Sequence, residues 1–181
     1  MSNKTAPERN ALFESEPGFY PAAGLWFYGN IRLLHGRLGY IPEASGPCDK
    51  LPIELDRIGL DTERLVLDGQ ILVCGVHNLA HRRAAIVPLR WGSPRILVFS
   101  GGFYHHLGPN LREEPFRAAR LWRYEWDAKV DLAVSTRAPD KMPTFARHNP
   151  AVDRIIQELA QGNKKGLDSA FDSLTPAIDR W

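Results

Sequence analysis

Five of the six histidines, His77, His81, His105, His106 and His148, fall in or beside three polar segments, 76–78, 101–110 and 136–148. Imidazole changes charge near neutral pH, so His77, His105 and His106 are the candidates for proton transfer. His77 and His81 are four residues apart, a spacing that puts two zinc ligands on one helix face. No Glu follows His77, so the metalloprotease motif is absent. A third ligand would have to come from His105, His106, Glu113 or Glu114. Two histidines four apart also arise by chance, and the sequence assigns no metal.

Each of the first two segments follows an apolar run that stops on glycine: Ile71-Leu-Val-Cys-Gly75 and Ile96-Leu-Val-Phe-Ser-Gly-Gly102. The runs read as buried strands. Glycine at a strand end lets backbone N–H groups approach an anion, which makes Gly75, Gly101 and Gly102 candidate ligand-binding positions. Ser100 is expected to close its strand and hydrogen-bond backbone or ligand. It is not the serine of a hydrolase elbow, because Val98 stands where that turn needs glycine. Asn78 lies in the first loop, and Arg82 and Arg83 just beyond it supply positive charge.

The elements that must position these groups alternate. Strand 71–75 precedes a helix over 78–91, strand 96–100 precedes a helix over 114–126, and strand 130–135 precedes a helix over 149–160. The last has Asn149 as N-cap, Pro150 in the first turn and Gly162 just past its end. Pro88 opposes the first helix, and the alternative is a strand over 84–91 paired with 95–100. Upstream, 22–38 carries apolar residues at helical spacing, 53–60 reads as a short helix, and Asp68-Gly69 is either a hairpin turn or the lead into strand 71–75. The expected organisation is an N-terminal arm and helical lead-in (1–62), a core (63–162) and a C-terminal helix (163–181). The expected fold is α/β: a mostly parallel, layered, doubly wound (Rossmann-like) sheet in which ligands bind outside the carboxyl ends of the strands.

Composition is that of a globular domain, 44% hydrophobic and 24% charged over 181 residues. No apolar run approaches the roughly 20 residues that span a bilayer, so no membrane partner is expected. Two cysteines and a polar N-terminus suggest a cytoplasmic setting. The net charge of +2 demands no nucleic acid. Charge is uneven, however: residues 82–123 hold eight arginines against two acids, a formal +6. Arg117, Arg120 and Arg123, spaced by three on the expected helix, would form a basic stripe.

The stretch 71–114 resembles the YdcF/SanA-like α/β family of unassigned function. The likeness lies in the apolar strand ending at Gly75, the basic segment, Ala84-Ala85, and then Gly92-Ser-Pro-Arg-Ile-Leu-Val-Phe-Ser-Gly-Gly102. It implies a doubly wound sheet that binds a nucleotide-like or phosphorylated ligand, and an acidic residue opening the next helix, a part Glu113 or Glu114 would take. The later Glu-x-x-Ser-x-Asn-Thr-like element of that family is replaced here by Val134-Ser-Thr-Arg-Ala-Pro139. The expected function is recognition of a small anionic ligand, with hydrolase or transferase chemistry on a phosphorylated or nucleotide-like substrate if it is an enzyme. No cofactor is indicated. The rival reading is a non-catalytic interaction or assembly protein that uses the Arg stripe.

Overall fold

The computed structural model describes residues 13–162 apart from Cys48 and Tyr124. The expected C-terminal helix, residues 163–181, lies outside the described residues. Six strands, β1 (Gly18–Tyr20), β2 (Leu25–Gly29), β3 (Leu38–Gly39), β4 (Ile71–Gly75), β5 (Arg95–Phe99) and β6 (Leu132–Ser135), form one sheet in the order β1-β2-β6-β5-β4-β3. The four strands β3 to β6 are parallel, while β2 runs antiparallel to β6 and β1 antiparallel to β2. Among the described residues the α-helices of five residues or more are α1 (Pro52–Leu67), α2 (Leu79–Arg90), α3 (Phe103–Leu107) and α4 (Pro150–Ala160). None of the described helices is long and apolar enough to cross a membrane.

Strands β4, β5 and β6 are apolar along nearly their whole length because both faces are covered. Leu72, Cys74, Leu97 and Phe99 pack under α1, α2 and α3. Val73, Ile96, Val98 and Val134 pack against Val152, Ile156 and Leu159 of α4. The result is a layered α/β fold with helices on both faces. The parallel strands follow one another in chain order, so no reversal of strand order opens a crevice between them. Any binding site must be shaped by the loops beyond their carboxyl ends.

Several local expectations are overturned. Residues 22–38 form β2, a 3-10 turn (Ile31–His35) and β3 rather than a helix. The run Leu25–Tyr28 is continuously apolar because β2 is packed on both faces, and that continuity imitates helical spacing. The supposed arm thus supplies three of the six strands. Helix α1 runs on to Leu67, and Gly69, at φ 74°, ends it in a turn instead of making a hairpin.

Residues 84–91 are not a strand. Pro88 lies inside α2, near its end. Proline disrupts helical bonding to the carbonyls one turn back, and the Arg95 guanidinium donates to the Ala85 carbonyl at 2.8 Å.

The expected helix over 114–126 is also absent. Among its described residues that segment holds a 3-10 turn, Ala118–Leu121, and an isolated bridge from Glu125 to Glu113, so the Arg stripe has no helix to carry it. The competing force is a buried ion cluster. Arg95, fully buried at the start of β5, donates from Nη2 to Glu114 at 2.6 and 2.7 Å and from Nε to Asp131 at 3.1 Å. Arg123 bonds the same two carboxylates, and the rings of Phe116 and Trp126 lie within 6 Å of the Arg95 guanidinium. Two positive and two negative charges cancel where no water reaches three of them. Removing one member strands the others, at a cost of about 3–5 kcal/mol. Arg95→Met is therefore expected to lower unfolding stability by about that amount in urea titrations followed by tryptophan fluorescence. The exposed control Arg154→Met should change it by less than about 0.5 kcal/mol.

Candidate functional site

Beyond the carboxyl ends of β4 and β5 lies a cavity of about 540 Å³. Its walls come from the start of α2 (His77, Asn78, Leu79, Arg82), from Ser100, His105 and His106 after β5, from Pro115 and Phe116, and from residues 143–147 after β6. Among the described residues none that lines it is acidic, while Arg82 and Arg147 bring two fixed positive charges.

The start of α2 is held in place by Asn78. Its Oδ1 accepts from the His81 N–H at 2.8 Å and its Nδ2 donates to the Ala44 carbonyl at 3.2 Å. This side chain caps the helix and spends one bond at each of its amide atoms on the fold. The first N–H groups of α2, at Leu79 and Ala80, have no carbonyl one turn earlier within the helix. The positive end of the helix dipole therefore sits at the cavity wall.

Gly75 serves this arrangement from below. Its N–H donates to His81 Nδ1 at 3.1 Å, and a Cβ there would press on the His77 ring. A backbone N–H can only donate, so Nδ1 of His81 is the acceptor and its Nε2 carries the proton. That Nε2–H donates to Asp153 Oδ1 of α4 at 3.1 Å. His77 Nε2 lies 3.2 Å from the same oxygen, without the alignment of a hydrogen bond. The two imidazoles are 4.6 Å apart between centroids.

His77, His81 and Asp153 have the donor set of a three-ligand metal centre. The tautomer of His81 opposes that reading, because its proton occupies the lone pair a cation would need. The cluster instead clips α2 to α4 past the end of β3. That strand pairs only with Ile71 and Leu72, leaving the rest of β4 open on that side.

Burial lowers the pKa of His81, although its bond to Asp153 works the other way. For Asp153 burial pushes upward, but the nearby His77 imidazole and the hydrogen bonds from His81 and the Gly46 N–H prevail and hold the carboxyl well below the usual range. His106 stacks flat on Phe99, with centroids 4.4 Å apart and planes at 10°. Burial, with His105 beside it, brings its pKa down to about 4.

The glycine pair does not face the cavity as expected. The Gly102 N–H donates to the Lys141 carbonyl at 2.7 Å. A Cβ on Gly102 would overlap the Pro139 carbonyl, and one on Gly101 would overlap the Pro143 backbone. The pair is small so that the chain's own 138–144 loop can lie on it. Ser100 Oγ–H donates to the Thr144 carbonyl at 3.1 Å, and Ser135 Oγ–H to the Gly101 carbonyl at 2.9 Å. The first bond pins the same loop, and the second ties the glycine pair to the end of β6.

Of the residues singled out by sequence, His77, Asn78, Arg82, Ser100, His105 and His106 therefore converge on one cavity. The His77 side chain is only 1% exposed, so its ring is closed off and cannot serve as an accessible base. Arg83 is turned away, pairing with Asp56 of α1 at 3.3 Å beside a second, smaller cavity of about 230 Å³. Glu114 belongs to the buried ion cluster and not to the ligand site, because Arg95 and Arg123 draw it inward.

Sequence reasoning missed Asp153, Phe116, Phe145 and Arg147. Asp153 sits one helical turn after the recognised Asn149 cap, and only the sheet order brings it to His81. No family model matches the chain, and neither a curated protein nor a solved structure is found that is similar to it.

Two outcomes follow. Gly102→Ala should destabilise the fold and loosen the 138–144 loop, read as faster proteolysis within that loop. The second concerns acid. His81 and His106 have folded pKa values below the unfolded 6.5, so the unfolded chain binds more protons and stability falls as pH drops below about 6.5. The depressed Asp153 adds a further loss below about pH 4. From pH 7 to 4, His106 alone accounts for about 3 kcal/mol. Urea unfolding of His106→Phe across that range should show a correspondingly shallower decline.

Proposed function

We propose that the cavity binds a small phosphorylated compound, with the phosphate seated between the start of α2, Arg82 and Arg147. The observation that carries this reading is the charge of the walls: two arginines and a helix N-terminus, with no acidic side chain among the described lining residues. Helix N-termini and arginine forks both favour phosphate oxygens. Arg82 Nε donates to the Val76 carbonyl at 3.3 Å, which orients the guanidinium from behind. The volume lies in the range of about 300–1,000 Å³ typical of small-ligand sites.

For hydrolase or transferase chemistry on such a ligand, His105 is the group placed to take up a proton. It is exposed at the cavity, and its Nε2–H donates to the Asp140 carbonyl at 3.1 Å, which leaves Nδ1 as the acceptor. His77 is sealed, His106 is a weak base, and the Ser100 hydroxyl proton is committed to Thr144.

Thermal-shift titration with inorganic phosphate and phosphorylated sugars tests the binding. Stabilisation should saturate, weaken with salt, and fall about tenfold in apparent affinity for Arg147→Gln or Arg82→Gln, as expected for loss of a charged hydrogen bond. Absence of any phosphate-dependent shift in the wild-type protein would sink the reading.

A further inference from the structure

The loop that supplies Arg147 also supplies Phe145, two residues before it. Phe145 lines the cavity yet stands 82% exposed. Leu79, on the opposing element, lines it too and is 62% exposed. The other large apolar lining residues, Val76 and Phe116, are buried. The cavity thus has a packed apolar floor and an unpacked apolar rim.

A single exposed apolar side chain means little by itself. Here the chain on either side of it is anchored. The loop before it is tied down by the Gly102, Tyr104 and Ser100 bonds to Lys141, Pro139 and Thr144. The chain after it is tied by Asn149, which caps α4 through Oδ1 and donates from Nδ2 to Thr144 Oγ1 at 3.3 Å. Residues 145–148 are a short bridge between these two anchors. Phe145 and Arg147 therefore stand at the same cavity two residues apart, one offering a flat apolar surface and the other a cation. A cavity of about 540 Å³ also holds far more than a lone phosphate.

We propose that Phe145 is a specificity-determining residue that stacks on a planar ring of the ligand, so that the ligand class is a nucleoside monophosphate. This rests on the phosphate reading above and adds the other end of the molecule. Ring stacking on an aromatic side chain contributes about tenfold or more in affinity and tolerates different bases.

The test is calorimetric titration of wild type, Phe145→Ala, Phe145→Trp and Arg147→Gln with ribose 5-phosphate and with each of the four common ribonucleoside monophosphates. At least one nucleoside monophosphate should bind the wild type about tenfold more tightly than ribose 5-phosphate. Phe145→Ala should erase that difference while leaving ribose 5-phosphate unchanged, Phe145→Trp should keep it, and Arg147→Gln should weaken every ligand. Equal binding of ribose 5-phosphate and all four nucleotides to the wild type would overturn the stacking proposal and leave the phosphate reading standing, as would an unchanged preference in Phe145→Ala. Binding of none of these compounds would overturn both.

Discussion

Two carboxylates and two arginines share a site from which water is almost wholly excluded, and the segment that floors the cavity is held in place by their mutual neutralisation. Residues 112–126 have little regular structure of their own, so backbone hydrogen bonding cannot fix their position. Glu114 is drawn to Arg95, and its neighbours Pro115 and Phe116 are thereby set against the cavity. Arg123 returns to the same carboxylates and closes the segment on itself. Such a cluster is a costly way to gain stability compared with apolar packing, but it is demanding about partners and geometry. Its value here is positional: it ties the starts of β5 and β6 and the irregular segment to a single point.

A second polar device works on the other flank. The chain Gly75 N–H to His81 to Asp153 passes from the end of β4 through α2 to α4, and so connects the helical layers on the two faces of the sheet. Both devices are nearly dry, and most polar atoms in them are paired with one another. The groups left over at the cavity, Arg82, His105 and Arg147, are exposed ones on loops or on the first turn of a helix. That division separates residues that hold the site from residues free to meet a ligand.

Much of this was legible in the sequence where one physical signal dominated. The runs ending at Gly75 and Ser100 were unmistakably buried strands, and Asn149-Pro150 marked the start of α4. What could not be read was whatever depended on partners far along the chain. Arginines spaced by three at 117–123 imitate a helix face, but the choice of conformation belonged to Arg95 and Asp131. The glycine pair was read as an opening for a ligand because glycine signals close approach without saying of what; the approaching chain is the 138–144 loop. Asp153 carries no sequence signal beyond its place in the first turn of α4, and only the folding of α4 back toward the end of β4 gives it two imidazoles.

The short outer strands have a consequence for how copies of the chain meet. The four inner strands are apolar enough to template pairing with another sheet, and an exposed edge of that kind invites intermolecular strand addition. Among the described residues the sheet instead ends in β1, three residues long, and β3, two residues long. Neither offers a run of free backbone groups on which a neighbouring molecule could build a ladder. Where the brevity of β3 leaves the last residues of β4 without a strand partner, the Gly75 N–H is taken up by the histidine–aspartate clip instead.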